Sequence, residues 1–112
     1  MTRRSEIDPQ EAVDYLIAKA PEYAEAKAER IYLEEFRKSK KALLMKKCVD
    51  LPVNAQEREA YADPEYVELL SGLRAAVERE ELLKWMMTAA QARVEVWRSQ
   101  ESTARAQDRA AA

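Results

Sequence analysis

The chain of 112 residues contains no histidine, one cysteine, one glycine and one phenylalanine. With Cys48 alone, no disulfide forms within the chain, and histidine/cysteine zinc sites and His-based catalytic dyads or triads are excluded. A single glycine argues against β-hairpins, whose tight turns mostly need residues with positive φ. These absences point to a helical protein, and we predict that it is not an enzyme and has no cofactor or metal.

Long apolar runs are also lacking. No stretch approaches the ~20 apolar residues of a membrane-spanning helix, and the first ten residues have no apolar run typical of a secretory signal. We therefore predict a protein of the reducing cytoplasm, without membrane association. The net charge is only −2, so the total charge predicts no general attraction to nucleic acid or anionic lipid.

What the chain has instead is the composition of long helices, with 36% charged residues and abundant Ala, Glu, Lys, Arg and Leu. Residues 1–8 are predicted to be a flexible leader. Asp8 and Pro9 then start a helix as N-cap and first-turn residue. Pro21 either kinks this helix or ends it as a short N-terminal helix. A long helical segment reaches Cys48, residues 49–53 form a connector, and new helices start at Asn54 and Asp63.

The last helix has the most regular apolar pattern in the chain. Its apolar residues recur in alternating steps of three and four, as in a coiled coil. They are Tyr66, Leu69, Leu73, Ala76, Leu83, Met87, Ala90, Val94 and Trp97, and Glu80 fills the one gap. Residues 104–112 lose this periodicity and are predicted to fray. In the first arm, the predicted apolar face consists of Ala24, Ala28, Tyr32, Phe36 and Leu43, with Ile31 and Leu33 beside it.

The two long arms have matching lengths and charges. Residues 9–48 and 64–103 each hold 40 residues, or about 60 Å at 1.5 Å per residue. Each arm is acidic early and basic late, so an antiparallel arrangement sets opposite charges side by side. We predict an all-α fold: a long antiparallel, coiled-coil-like helical hairpin over residues 9–103, with a short N-terminal helix and a short helix in the connector.

A basic cluster lies near the end of the first arm. It has six positive and no negative charges within eleven residues: Arg37, Lys38, Lys40, Lys41, Lys46 and Lys47. Such a cluster binds phosphates of single- or double-stranded DNA by releasing counterions, and Tyr32 and Phe36, if exposed, would stack on bases. The alternative is structural: the cations complement the helix C-terminus and the acidic start of the facing arm, and the aromatic side chains belong to the core.

A second apolar stripe runs along the last helix. Its members are Leu82, Trp85, Met86, Ala89 and Val96, interrupted by Arg93. A helix that is apolar on two faces has two neighbours to pack against. The segment 9–20 or a second copy of the chain would cover this stripe, and we favour a homo-oligomer. We call this set the apolar stripe.

Glu80 has two interpretations. A carboxylate at a seam position is costly if buried alone, so it is predicted to pair with an arginine or lysine of the other arm and to fix the register. A catalytic carboxylate is the alternative. Neighbouring acids such as Glu80 and Glu81 would in principle hold Mg²⁺, but no phosphate-binding loop or ligand motif accompanies them.

Three segments resemble small helical proteins of tailed phages and prophages. They are PEYAEAKAER at 21–30, QEREAYADPEY at 56–66 and ARVEVWRSQES at 92–102. The resemblance implies a phage accessory protein of DNA metabolism, acting in the bacterial cytoplasm. In size, helicity and basic helix the chain is also loosely similar to phage recombination-mediator proteins, which oligomerise and bind single-stranded DNA, but no functional residue transfers from them.

Three functions follow as expectations. The first is a self-assembling accessory protein that contacts nucleic acid through the basic cluster. The second is a non-enzymatic adaptor, or an inhibitor of a host or phage enzyme of DNA metabolism, that acts through the apolar stripe. The third, a coiled-coil element of a virion, requires far larger assemblies than a dimer or small ring.

Overall fold

The structure is a computed structural model that describes residues 6–112, and within this range it contains three helices and no strand. Helix α1 spans Pro9–Lys46, α2 spans Val53–Ala62 and α3 spans Pro64–Ala111. The segments of α1 and α3 that pack together run antiparallel, and α2 lies in the connector. The predicted all-α helical hairpin is therefore confirmed. Of the predicted leader, residues 1–8, the first five residues lie outside the described part of the chain.

The start of α1 follows the predicted capping pattern. The Asp8 carboxylate accepts hydrogen bonds from the backbone N–H groups of Gln10 and Glu11, at 3.0 and 3.2 Å, and thereby satisfies donors that a helix N-terminus leaves unpaired. Pro9 is the first helical residue. Residues 9–20, predicted as a short N-terminal helix, form the first part of α1, which continues through Pro21.

The connector is built from short-range hydrogen bonds. Turns follow α1, with the N–H of Lys47 bonded to Leu44 and that of Leu51 bonded to Cys48. Pro52 precedes α2, as suits a residue without an N–H. Between α2 and α3, the Asp63 side chain accepts the N–H of Glu65 at 2.8 Å, and Pro64 opens α3. At its other end, α3 extends to Ala111, beyond residue 103, where the apolar periodicity stops.

The chain divides into two compact units. The central unit comprises Ala24–Glu81, and its core is formed by Leu44, Ala60 and Tyr66, with Met45 packed against them. The terminal unit comprises the residues up to Tyr23 together with Leu82–Ala112. There, Ala12 of α1 and Ala90 of α3 are buried. The terminal unit is thus formed by two segments far apart in sequence, whereas the central unit is one continuous segment.

The seam predicted along α3 is the face that the structure buries. Tyr66, Glu80 and Ala90 are each only 7% exposed. The remaining seam positions are all half-buried: Leu69, Leu73, Ala76, Leu83, Met87, Val94 and Trp97. The alternating three- and four-residue spacing therefore identifies the packed face of α3 at each position.

The apolar face predicted for α1 was wrong. Ala24 and Ala28 are exposed, as are Tyr32, Leu43 and Ile31, whereas Phe36 and Leu33 are half-buried. The packed face instead contains the buried Ala26 and Leu44, with the half-buried Arg30, Leu33 and Lys40 between them. This face mixes small, apolar and charged residues. The large apolar side chains of α1 therefore predict a neighbouring face of the helix and not the face that packs.

Candidate functional site

The basic cluster at the end of α1 is largely ion-paired in the central unit. Lys40 and Lys47 both contact Glu65 in the first turn of α3, with Nζ–Oε2 distances of 3.2 and 3.5 Å. Lys41 contacts Glu57 of α2 at 3.4 Å. The structural alternative for these three lysines, pairing with the acidic start of the facing arm, is thus present. Of the acids early in α1 that were expected to face cations of the second arm, Glu25 lies 4.0 Å from Arg79 of α3. The expected Arg98 instead pairs with Glu95 of its own helix.

Two pKa values respond to these pairs. Hydrogen bonding and charge from Lys40, followed by Lys47, lower the pKa of Glu65 below its usual value. The pKa of Lys41 is raised, first by its hydrogen bond to Tyr61 and then by Glu57. The ammonium of Lys41 also lies 4.8 Å from the centroid of the Tyr61 ring, a cation–π arrangement. Charge at this end of α1 therefore holds α2 and α3 to it.

Three cations of the cluster are not bound to another helix. Lys38 contacts Glu35 of its own helix at 3.4 Å, and its side chain is 73% exposed. Arg37 and Lys46 are exposed, and neither forms an ion pair with any of residues 6–112. The nucleic-acid surface thus stays a prediction, and these three cations are its accessible members.

Tyr32 and Phe36 lie one turn before the cluster and stack on each other. Their ring centroids are 5.8 Å apart and the planes differ by only 8°. Tyr32 is 60% exposed, so it is not the core residue that the structural alternative required. An exposed aromatic face beside accessible cations is the combination that single-stranded nucleic acid uses.

The apolar stripe lies on the terminal unit and is exposed along its length. Leu82 is 60% and Trp85 63% exposed, while Met86 and Val96 are each 46% exposed. Ala89 is exposed between them. The segment 9–20 of α1 packs on the α3 seam and leaves the stripe uncovered. Because these side chains follow one another along a single helix, Leu82 to Ala89 form a continuous apolar surface, which Arg93 separates from Val96.

A groove of about 290 Å³ opens beside the stripe in the terminal unit. Ala12 and Ala90 are buried and form its base, and Tyr15, Met86 and Arg93 line it together with Ala89 and Glu11. The Tyr15 hydroxyl is buried and has no hydrogen-bond partner among the described residues. Sequence analysis missed Tyr15. Its position three residues after Ala12 is a weak sign that it borders the packed face.

Glu80 is bound by Arg30 of α1. The Nη2 of Arg30 donates to Glu80 Oε1 at 3.2 Å, and Arg30 Nε donates to Oε2. Arg30 also donates to Glu34 at 3.0 Å. These hydrogen bonds, first to Glu80 and then to Glu34, raise the pKa of Arg30. The predicted pairing of Glu80 with a cation of the other arm is confirmed. The partner was not predicted, because Arg30 lay off the face assigned to α1.

Clusters of metal ligands and membrane-spanning helices are both absent from residues 6–112. No group of three or more acidic or cysteine side chains is arranged to hold a metal ion. Within the same range, no helix combines the length and apolarity needed to cross a bilayer.

Comparisons of the chain with protein-family models, with curated proteins and with solved structures find no significant match.

Proposed function

We propose that this chain is a non-enzymatic assembly protein that binds another helical protein surface through the apolar stripe. The supporting observation is the exposure of Leu82, Trp85 and Met86 on one face of α3. A contiguous exposed apolar patch on a small domain is typical of a protein-binding site. The residue types are also suitable, because Trp and Met are enriched where proteins bind each other.

The hairpin suits such a role physically. α3 presents the stripe on a regular helix whose neighbouring face packs on α1, so the exposed side chains are held at fixed spacing before a partner arrives. Recognition of an apolar helix face by another helix uses anchors separated by three, four and seven residues. Leu82, Trp85 and Met86, followed by Ala89, have this spacing.

A photo-crosslinking experiment in cells tests the proposal. Leu82 is replaced by a photoreactive phenylalanine analogue, and the matched control carries the same group at Val67, which is 52% exposed in the central unit. We expect a discrete adduct, with a second copy or another protein, from position 82 and not from position 67. If irradiation gives no adduct at position 82, the stripe does not bind protein and the proposal fails.

A second candidate function is contact with single-stranded nucleic acid through Arg37, Lys38 and Lys46, as in an accessory protein of phage DNA metabolism in a bacterial cytoplasm. It is favoured by the exposed Tyr32 ring stacked on Phe36, one turn before these cations. Phosphates would meet the cations and a base would extend the aromatic stack. The phage setting rests on the resemblance of three sequence segments to phage proteins.

Salt-titrated binding of a fluorescent oligonucleotide tests this second function. Each phosphate contact contributes about 0.7 to the slope of log affinity against log salt for single strands. Arg37→Glu and Lys46→Glu together should weaken binding and reduce this slope, while Tyr32→Ala should weaken binding with little change in slope. Lys27→Glu, which alters an exposed cation elsewhere on α1, is the control. No binding by the unaltered protein at low salt would rule the function out.

A further inference from the structure

The groove beside the apolar stripe has the size of one large side chain. Its volume of about 290 Å³ lies just below the ~300–1,000 Å³ of pockets that hold small-molecule ligands. It is well above the ~150 Å³ of a cavity that binds benzene. Because Ala12 and Ala90 form its base and Ala89 its edge, the groove exists where side chains are small. An aromatic side chain from a partner is therefore a suitable occupant.

Trp85 is an aromatic side chain of suitable size on the same surface. It is 63% exposed, and the ammonium of the adjacent Lys84 lies 6.0 Å from its ring centroid. Tryptophan is among the residues that most often dominate the binding energy of an interface when a pocket receives it. The terminal unit thus displays both a large knob and a groove on one face of α3.

The order of residues around Ala89 is self-complementary. Trp85 lies four residues before Ala89 and Arg93 four residues after it; Leu82 lies seven before and Val96 seven after. When two α3 helices pair antiparallel about a two-fold axis, a residue before the axis faces the residue equally far after it in the other copy. With the axis near Ala89, Trp85 faces Arg93, and Leu82 faces Val96.

We propose that a second copy of this chain docks antiparallel on the apolar stripe, with Trp85 of each copy inserted into the groove of the other. This rests on the proposed function of the stripe as a protein-binding surface and names its partner. Such an interface is isologous, so it closes as a dimer. Ala89 at the axis lets the two helices approach closely, and leucine and valine meet at either end.

A cation–π contact with Arg93 favours an aromatic occupant such as Trp85 of a second copy. Arg93 interrupts the apolar stripe and lines the groove, so an aliphatic partner would leave its guanidinium against apolar groups. In the antiparallel pairing, the incoming indole presents its ring face to that guanidinium, and cation–π attraction stabilises the contact. Arg93 thus becomes part of the interface.

A cysteine on the two-fold axis gives the sharpest test. Ala89→Cys is made in a Cys48→Ser background, so that the new thiol is the only one in the chain. A disulfide needs Cα atoms within roughly 7 Å, a distance that position 89 reaches with its own copy only near the axis. Thr88→Cys is the matched control, because residue 88 is exposed on another face of α3. Mild oxidation should link Ala89→Cys chains into dimers and leave Thr88→Cys chains largely unlinked.

Sedimentation velocity then tests the role of Trp85. The unaltered protein should sediment as a dimer, and Trp85→Ala should raise the dissociation constant at least tenfold, as for a dominant interface residue. Arg93→Glu should weaken the dimer, and Arg93→Lys, which retains the cation, should retain most of the affinity. The exposed position of Trp85 means that these changes leave folding intact, which circular dichroism verifies.

Two outcomes would overturn the inference, and they are distinguishable from failure of the proposed function. If the purified protein remains monomeric into the millimolar range, a second copy is not the occupant; an adduct with a different protein at position 82 would then leave the proposed function standing. The second outcome is that the protein dimerises by another surface. That result requires that Ala89→Cys chains are not linked and that Trp85→Ala still sediments with the mass of a dimer.

Discussion

Arg30 of α1 and Glu80 of α3 are hydrogen-bonded to each other through two guanidinium nitrogens and both carboxylate oxygens, although 50 residues separate them in sequence. The pair occupies seam positions on the packed faces of both helices, where the Glu80 side chain is only 10% exposed. A slip of α3 by one heptad in either direction would set Arg30 beside an apolar seam residue, Leu73 or Met87, instead of Glu80. The pair therefore fixes the register of the hairpin.

Glu80→Ala is predicted to lower the stability of the protein, because it leaves the Arg30 guanidinium facing the seam without this carboxylate. Urea denaturation measures the effect, and Glu78→Ala, an exposed acid two residues earlier, is the control. The double variant Arg30→Leu with Glu80→Leu should recover much of the loss, because two apolar residues fill the seam without a buried charge. Equal midpoints for the two single variants would mean that the pair contributes nothing to folding.

Leu44→Ala is predicted to destabilise the central unit by about 2–5 kcal/mol, the usual cost of truncating a buried leucine. Leu44 is 3% exposed and packs with Ala60 and Tyr66. The neighbouring Leu43, which is 54% exposed, is the matched control, and its replacement by alanine should change stability by only about 0.5 kcal/mol. A larger loss for Leu43→Ala in denaturant titrations would restore the α1 face first predicted from sequence.

The interaction of Glu65 with Lys40 and Lys47 is predicted to stabilise the protein at neutral pH and to be lost at acid pH. The pKa of Glu65 is lowered from its ordinary value of 4.5, so its stabilising contribution is complete above about pH 4.5. The contribution is lost as the pH falls through the lowered folded-state pKa. Unfolding midpoints of the unaltered protein and Glu65→Gln should thus differ at pH 7 and converge as the pH falls through the lowered pKa of Glu65. Glu68→Gln, which alters an exposed acid that has no ion pair with any of residues 6–112, should show no such convergence.

Gly72→Ala is predicted to stabilise α3 by about 0.5–1 kcal/mol, because alanine loses less conformational entropy than glycine in a helix. A Cβ atom added at Gly72 meets nothing within 4 Å, so no steric cost opposes the gain. Ala75→Gly, one turn later on an exposed position, should produce a loss of similar size. Thermal unfolding at low protein concentration measures both, and a destabilising Gly72→Ala would contradict the open space seen there.

Tyr15→Phe is predicted to stabilise the terminal unit by about 1 kcal/mol. The Tyr15 hydroxyl is buried without a hydrogen-bond partner, and such a group loses its hydration without compensation. The ring and its contact with the Lys19 ammonium, 5.9 Å from the centroid, are retained in phenylalanine. Tyr32→Phe removes an exposed hydroxyl and should be neutral. A lower unfolding midpoint for Tyr15→Phe would show that the hydroxyl has a stabilising partner.

The sequence predicts α3 better than α1 for a physical reason. Along α3 the packed face consists almost wholly of apolar residues, so their spacing alone identifies it. Along α1 the packed face includes Arg30 and Lys40, whose partners Glu80 and Glu65 lie in α3. Their suitability for the seam depends on those partners, and a pattern within α1 contains no information about them.

The two candidate surfaces also differ in how well the sequence predicts them. The exposure of the apolar stripe agrees with its position off the α3 seam, which spacing alone indicates. The pairing of Lys40, Lys41 and Lys47 with acids of α2 and α3 depends on how the connector turns the chain. A run of six cations therefore looks more accessible in sequence than it is in the folded protein, where three of them serve the contacts between helices.

Pro21 lies inside α1 and has no amide hydrogen, so the carbonyl of Ile17 lacks the donor that an unbroken helix would supply. The series of backbone hydrogen bonds in α1 accordingly lacks one bond about a third of the way along the helix. The turns before Pro21 can therefore unfold locally while the turns after it stay folded. In an amide hydrogen-exchange experiment, residues 9–20 would then exchange as a separate, less protected block than the turns that contain Arg30 and Leu44.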